Sequence, residues 1–270
     1  MSEERFGEFV LVRRHEGGQV AELVLDRPKA MNAVSTAMAR SIAGACAALG
    51  EDRSVRVVVL SSSHERAFCV GADLKERNSF SDADLVRQRP VARGAYTGVL
   101  ELPVPTVAAV HGFALGGGFE LALSCDVIVA DRTAVVGLPE VSVGVIPGGG
   151  GTQLLPRRVG AARAAELIFT ARRVEAAEAR ELGLVDELVE EGRDREEALA
   201  LASRIAGNSP VGLAGGQAGA AARARAGSVR RAGGRGRRLA VGGVLGGPGG
   251  RGRRLQREAQ AGVARGVAVR

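Results

Sequence analysis

Two chemically different stretches of chain meet near residue 212, and only the first has the composition to build a core. Residues 211–270 hold thirteen arginines, no lysine and one acid, Glu258, a net charge of +12. That leaves 24 basic and 29 acidic side chains, a net of −5, in residues 1–210. The +7 of the whole chain therefore belongs to its tail, and the two parts are read separately. The body is long enough for one large domain with a sizeable core.

No apolar run approaches the roughly 18–20 residues that cross a membrane, so neither an integral membrane protein nor a membrane partner is expected. The opening Met1-Ser-Glu-Glu-Arg-Phe-Gly-Glu is acidic and lacks an apolar stretch, so no secretory signal is expected. Cys46, Cys69 and Cys125 are odd in number, widely spaced and set among small apolar residues. They read as free thiols in a reducing compartment, and the expected location is cytoplasmic. His15, His64 and His111 are too few and too scattered for a metal cluster; His111 reads as a structural residue at a strand end.

Along the body, strand-like and helical patterns alternate. Residues 9–14 and 20–25 are strand-like and flank Glu16-Gly17-Gly18-Gln19, a hairpin signal. Ser35 is placed to cap a helix whose Met38, Ile42, Ala45 and Leu49 fall at helical spacing. The β-branched run from Val55 to Leu60 reads as a buried strand. Residues 82–102 read as helical, with a bend or a break into two helices expected at Pro90. Thr106–Val110 is the next strand, followed by a glycine-rich turn, a helix from about Gly117 to Ser124 and a strand over Asp126–Ala130. Helices over 161–170, 175–182 and 195–207 and a strand near Leu184–Val189 complete the body. The alternation predicts an α/β or α+β class.

Three glycine-containing junctions stand out: Ala67-Phe-Cys-Val-Gly-Ala-Asp-Leu-Lys75, His111-Gly-Phe-Ala-Leu-Gly-Gly-Gly-Phe-Glu-Leu121, and Leu138-Pro-Glu-Val141 leading to Gly144-Val-Ile-Pro-Gly-Gly-Gly-Gly-Thr152. None carries a Walker Gly-Lys-Ser/Thr or a GxGxxG spacing, so nucleotide-phosphate and dinucleotide loops are excluded. Two readings remain: tight turns that need positive φ, or backbone amides exposed at a helix start, able to stabilise an oxyanion. Glu120, in the first turn of an otherwise apolar helix, and Glu140, between Pro139 and Val141, are acids among apolar neighbours. Such a pair can supply general acid–base chemistry; the bland alternatives are a dipole-complementing Glu120 and a solvated Glu140.

Taken together with Leu25-Asp-Arg-Pro-Lys-Ala-Met-Asn-Ala33 and Thr170–Val185, these segments resemble the crotonase (enoyl-CoA hydratase/isomerase) family in order and spacing, over about residues 8–212. The resemblance implies a spiral of β-β-α repeats assembled as trimers or paired trimers. It implies an acyl-CoA thioester whose carbonyl oxygen lies between the amides of Ala72 and Gly117. The CoA moiety would run past Lys29, Ala30 and Asp73, with Gly71, Leu74, Gly116 and Gly148 also on the substrate surface. Glu120 and Glu140 fall on the two family carboxylates that hydrate a 2-enoyl-CoA. Having both favours a hydratase over an isomerase or other enolate chemistry. No metal and no cofactor beyond the substrate's own CoA is implied. Val136 and Phe119 depart from the residues common in the family, and both bear on the shape of the acyl pocket.

The resemblance stops at Leu213. Family members continue with amphipathic helices, whereas residues 213–270 are rich in Arg, Gly and Ala. One reading is a basic arm for nucleic acid, although without aromatic residues it lacks stacking platforms. The preferred reading is a shifted reading frame, in which case no nucleic-acid partner is expected. Read one base later, Leu255-Gln-Arg-Glu-Ala-Gln-Ala-Gly-Val263 can encode Phe-Asn-Glu-Lys-Arg-Lys-Pro-Glu-Trp, which resembles the missing family ending. A tail of this origin is expected to form no terminal helix.

Overall fold

The computed structural model describes the backbone of residues 2–229 and the side chains of residues 2–219. The chain opens with β1 (Glu3–Phe6), β2 (Val10–His15) and β3 (Val20–Leu25), an antiparallel meander. Helix α1 (Thr36–Glu51) follows, capped by Ser35, whose side chain accepts from the Met38 amide at 3.2 Å. Three strand pairs come next. They are β4 (Val57–Ser62) and β5 (Ala67–Cys69), then, after α2 (Leu74–Asn78) and α3 (Asp82–Leu100), β6 (Thr106–Val110) and β7 (Phe113–Leu115). Helix α4 (Gly117–Leu123) leads to β8 (Val127–Asp131) and β9 (Val135–Gly137). The remainder is α5 (Gly151–Val159), α6 (Ala161–Thr170), β10 (Val174–Glu175), α7 (Ala176–Glu181), β11 (Glu187–Val189), α8 (Asp194–Ala206) and α9 (Pro210–Val229).

The pairing makes the spiral. The first strand of each pair joins a seven-stranded sheet in the order β1-β2-β3-β4-β6-β8-β11, parallel from β3 onward. The second strand of each pair joins a four-stranded sheet, β10-β9-β7-β5. Each turn of β-β-α thus advances both sheets by one strand, and the glycine-rich turns after β5 and β7 lie beside one another. The α/β class and the spiral expected from the sequence are what the fold contains.

The large sheet is covered on both faces, which is why its central strands are continuous apolar runs such as Val57–Leu60. On one face Ala198, Ala202 and Ala206 of α8 sit at four-residue spacing on Val20, Val57, Val59, Val107 and Val129. On the other, Met38, Ile42, Ala45 and Leu49 of α1 enter the main core with Phe68, Phe119 and Leu121. The α8 layer is also tied down electrostatically. Glu22 of β3 is fully buried and accepts two bonds from Arg195 (2.6 and 2.7 Å), one from Ser61 (2.7 Å), and contacts His15 Nε2 at 3.1 Å. Burial pushes the Glu22 carboxyl up, but Arg195 and Ser61 pull it below the usual glutamate range.

Three expectations need correction. The break into two helices expected at Pro90 does not occur: α3 runs as one helix from Asp82 to Leu100. Pro90 is exposed, and so is Val86, the residue whose carbonyl its ring deprives of a bond, so the lost bond falls on the solvent side of the helix. The buried strand near Val55 begins two residues later, at Val57. The composition break at residues 212/213 falls inside α9, and residues 214–229 are helical. Alanine, arginine and glutamine are good helix formers and offset the glycines there, and Gln217 Nε2 ties α9 to the Asp126 carboxylate at 3.1 Å. The Leu255–Val263 piece of the shifted-frame reading and most of the basic arm fall on residues 230–270, outside the described residues.

Candidate active site

Glu120 lies in the first turn of α4 and is only 2% exposed. Its Oε1 accepts from the amides of Gly149 (2.8 Å) and Gly151 (2.7 Å), at the start of α5. The run Gly148–Gly151 thus bends onto a carboxylate, and α5 directs its positive end at the acid. Burial raises the Glu120 carboxyl above the usual glutamate value, against the pull of the Gly151, Gly149 and Gly150 amides.

Glu140 comes from the short 3-10 turn Pro139–Val143. Its carboxyl is pushed up to about 7, first by burial and then by the Glu120 charge. Its Oε2 is buried without a hydrogen-bond partner. The two acids therefore stand in different environments, Glu120 held by the amides of a distant turn and Glu140 by no amide but its own. Gly116 brings them together: its φ of +53° with ψ −126° is backbone that side chains rarely adopt. A Cβ there would stand 3.1 Å from Glu140 Oε1.

The two glycine-rich turns abut. Gly71, at φ +93°, packs so closely that a Cβ would meet the Leu115 carbonyl oxygen at 2.8 Å and the Gly117 nitrogen at 3.1 Å. The residue that precedes Ala72 thus lies against Gly117. Segment 28–34 is zipped to the same turn, with Val34 N donating to Gly71 O (2.7 Å), Val70 N to Met31 O (3.2 Å) and Asp73 N to Val34 O (3.1 Å). This places exposed Lys29 and half-buried Ala30 along the edge that carries Ala72, Asp73 and Leu74. The Asp73 side chain is committed within the protein. It caps α2 through the Lys75 and Glu76 amides and pairs with Arg27 at 2.7 Å. Leu74 is 44% exposed, and Gly148 is exposed next to Gly149.

His111 keeps a structural role, with Nδ1 at 2.9 Å from Asp194 and Nε2 at 2.6 Å from the His64 carbonyl oxygen. Two surface concavities, of about 570 Å³ beside Arg14 and Asp52 and about 290 Å³ between α1 and α3, are lined by neither glutamate. Sequence reasoning missed Tyr96. It lies on α3, buried, with its hydroxyl against Gly117 and its ring against Gly149. The one available signal was that it is the chain's single tyrosine.

Two interlocked sheets wound from β-β-α repeats, with a buried Glu120 and a half-buried Glu140 at their glycine-rich turns, define a crotonase-fold protein. The family described as Enoyl-CoA hydratase/isomerase matches residues 15–227, and the chain belongs to it. It is 46% identical over 198 residues to the mitochondrial enoyl-CoA hydratase domain-containing protein 2 of Bos taurus, a match covering 72% of this chain and 67% of that protein. It is 39% identical over 202 residues to the mitochondrial methylglutaconyl-CoA hydratase of Homo sapiens, covering 73% and 60%. Among solved structures, the enoyl-CoA hydratase of Bacillus anthracis superimposes with a TM-score of 0.76 at 33% identity, covering 96% of this chain and 92% of that one. The protein is thus an enzyme of the crotonase family.

Proposed function

We propose that the protein adds water across the C2=C3 bond of a trans-2-enoyl-CoA, giving the 3-hydroxyacyl-CoA. The observation that carries this reading is the unequal pair of acids beside two adjoining turns. Hydration builds negative charge on the thioester oxygen, and the Ala72 and Gly117 amides are the donors assigned to it; losing one such donor typically costs about 2.7–4 kcal/mol. Glu120, held by amide donors, is the base that takes a proton from the water attacking C3. Glu140, with its carboxyl near 7 and Oε2 unpartnered, is the acid that delivers a proton to C2. The edge formed by Lys29, Ala30, Gly71, Asp73, Leu74, Gly116 and Gly148 receives the CoA moiety and the thioester. No cofactor enters this reading, and assembly as trimers or paired trimers goes with it.

The test is incubation with crotonyl-CoA and, separately, with a 3-enoyl-CoA, followed by product mass. Uptake of one water by crotonyl-CoA supports the hydratase. Isomerisation of the 3-enoyl-CoA without water uptake by either substrate overturns it.

A further inference from the structure

We infer that the Tyr96 hydroxyl is a third donor to the thioester oxygen, joining the Ala72 and Gly117 amides, and is thus a further catalytic residue of this enzyme. The inference deepens the hydratase reading and rests on it for the thioester that occupies the site.

The ring of Tyr96 spans the glycine-rich turns from Gly149 to Gly117. A Cβ on Gly117 would run into the Tyr96 hydroxyl and would stand 3.5 Å from Cα of Gly71, the residue before Ala72. The hydroxyl therefore sits where the two turns assigned to the thioester oxygen meet. The other end of the ring lies beside the base: a Cβ on Gly149 would meet Tyr96 Cδ1 at 2.7 Å, Cε1 at 2.8 Å and Glu120 Oε2 at 2.8 Å. The ring thus turns carbon to the Glu120 carboxylate and oxygen to the amides. The acceptor its hydroxyl meets is the oxygen docked at Gly117 rather than the base.

Tyr96 is only 7% exposed, and its hydroxyl makes no hydrogen bond among the described residues. The buried side-chain atoms left without a partner among those residues are Arg14 Nη1 and Glu140 Oε2. The Tyr96 hydroxyl is not one of them, so it keeps the access that an incoming oxygen needs. Burial first, and then Glu120, Cys69 and Glu140, hold the phenol well above its ordinary value, so at pH 7 it is a neutral O–H donor. A neutral donor suits this position. It adds no charge to a site that already holds two carboxyls, and its bond strengthens as the thioester oxygen becomes negative. A hydroxyl fixed on a packed ring also needs no reorganisation when that charge appears.

The experiment is isotope-edited infrared spectroscopy of the full chain with butyryl-CoA, a saturated thioester that cannot be hydrated, labelled with carbon-13 at its carbonyl. Hydrogen bonds to the thioester oxygen lower its stretching frequency, so the band reports the donors. On wild type the band should lie below that of the free thioester, and on Tyr96→Phe, which keeps the ring, it should return part of the way. Tyr96 is the chain's single tyrosine, so biosynthetic replacement of tyrosine by 3-fluorotyrosine modifies this residue alone. The more acidic phenol should move the band further down than in wild type. Tyr96→Phe should also lower kcat on crotonyl-CoA by about 10²- to 10³-fold, with KM within about 3-fold of wild type, as for loss of one oxyanion donor. A band at one frequency in all three forms overturns the inference, as does wild-type kcat in Tyr96→Phe. A band that follows the series while crotonyl-CoA takes up no water sinks only the hydratase reading, so the two failures are distinguishable.

Discussion

Replacing Glu140 by glutamine separates what this carboxyl does to the fold from what it does in the reaction. It titrates at about 7 instead of 4.5, because burial and then the Glu120 charge oppose its ionisation. A native value above the unfolded one means that the folded protein binds the proton more tightly. Stability is therefore greatest below about 4.5 and is lost as pH rises through about 7. The shift is about 2.5 units, or about 3 kcal/mol at 1.36 kcal/mol per unit. Glutamine has the shape of the neutral acid and does not ionise. The stability of Glu140→Gln relative to wild type should thus grow by about 3 kcal/mol between pH 4 and pH 8.5. Urea unfolding at fixed protein concentration measures this. The same substitution should lower kcat on crotonyl-CoA by about 10²- to 10⁴-fold. A stability difference that does not change with pH would refute the buried, raised carboxyl. Full turnover in the stabilised variant would refute its role as the acid.

The pH–rate profile of the wild type should fall on the alkaline side as Glu140 ionises near 7, and on the acid side as Glu120 is protonated above the ordinary glutamate value. Glu120→Gln should abolish the acid limb together with most of kcat. Gly116→Ala should cost about 1–3 kcal/mol in urea unfolding, because φ is +53° and the new Cβ presses on Glu140 Oε1, and it should lower kcat as Glu140 is displaced; wild-type turnover would count against that contact. Arg195→Met leaves Glu22 buried without its cation and should destabilise by about 3 kcal/mol at pH 7. The loss should shrink as pH falls and Glu22 is protonated, and a loss independent of pH would discount the ion pair. Sequencing the coding DNA across the codons for Gly212–Ala214 should show a missing or extra base; a clean frame would dispose of the shifted-frame reading of the tail.

Local pattern carried far in this chain where a single element is its own evidence. The α1 helix was legible because Ser35 caps it and four apolar residues share one face. The parallel strands were legible because a strand buried on both faces must be apolar throughout. Glu120 and Glu140 stood out as charges among apolar neighbours, whose burial is costly wherever the chain goes. The structure alone decided what depends on distant segments meeting. Pro90 is harmless because its face of α3 points to water, and no local rule contains that orientation. The second strands of the pairs, β5, β7 and β9, are three residues each and exist only because the spiral lays them side by side. The inequality of the two acids arises from Gly149 and Gly151, some thirty residues from Glu120, which reach it and not Glu140. Tyr96 carries no mark in its own helix. Its place over Gly117 and Gly149 follows from the packing of α3 on two turns that lie on either side of β8 and β9 in the chain, and packing across such separations is a property of the tertiary fold.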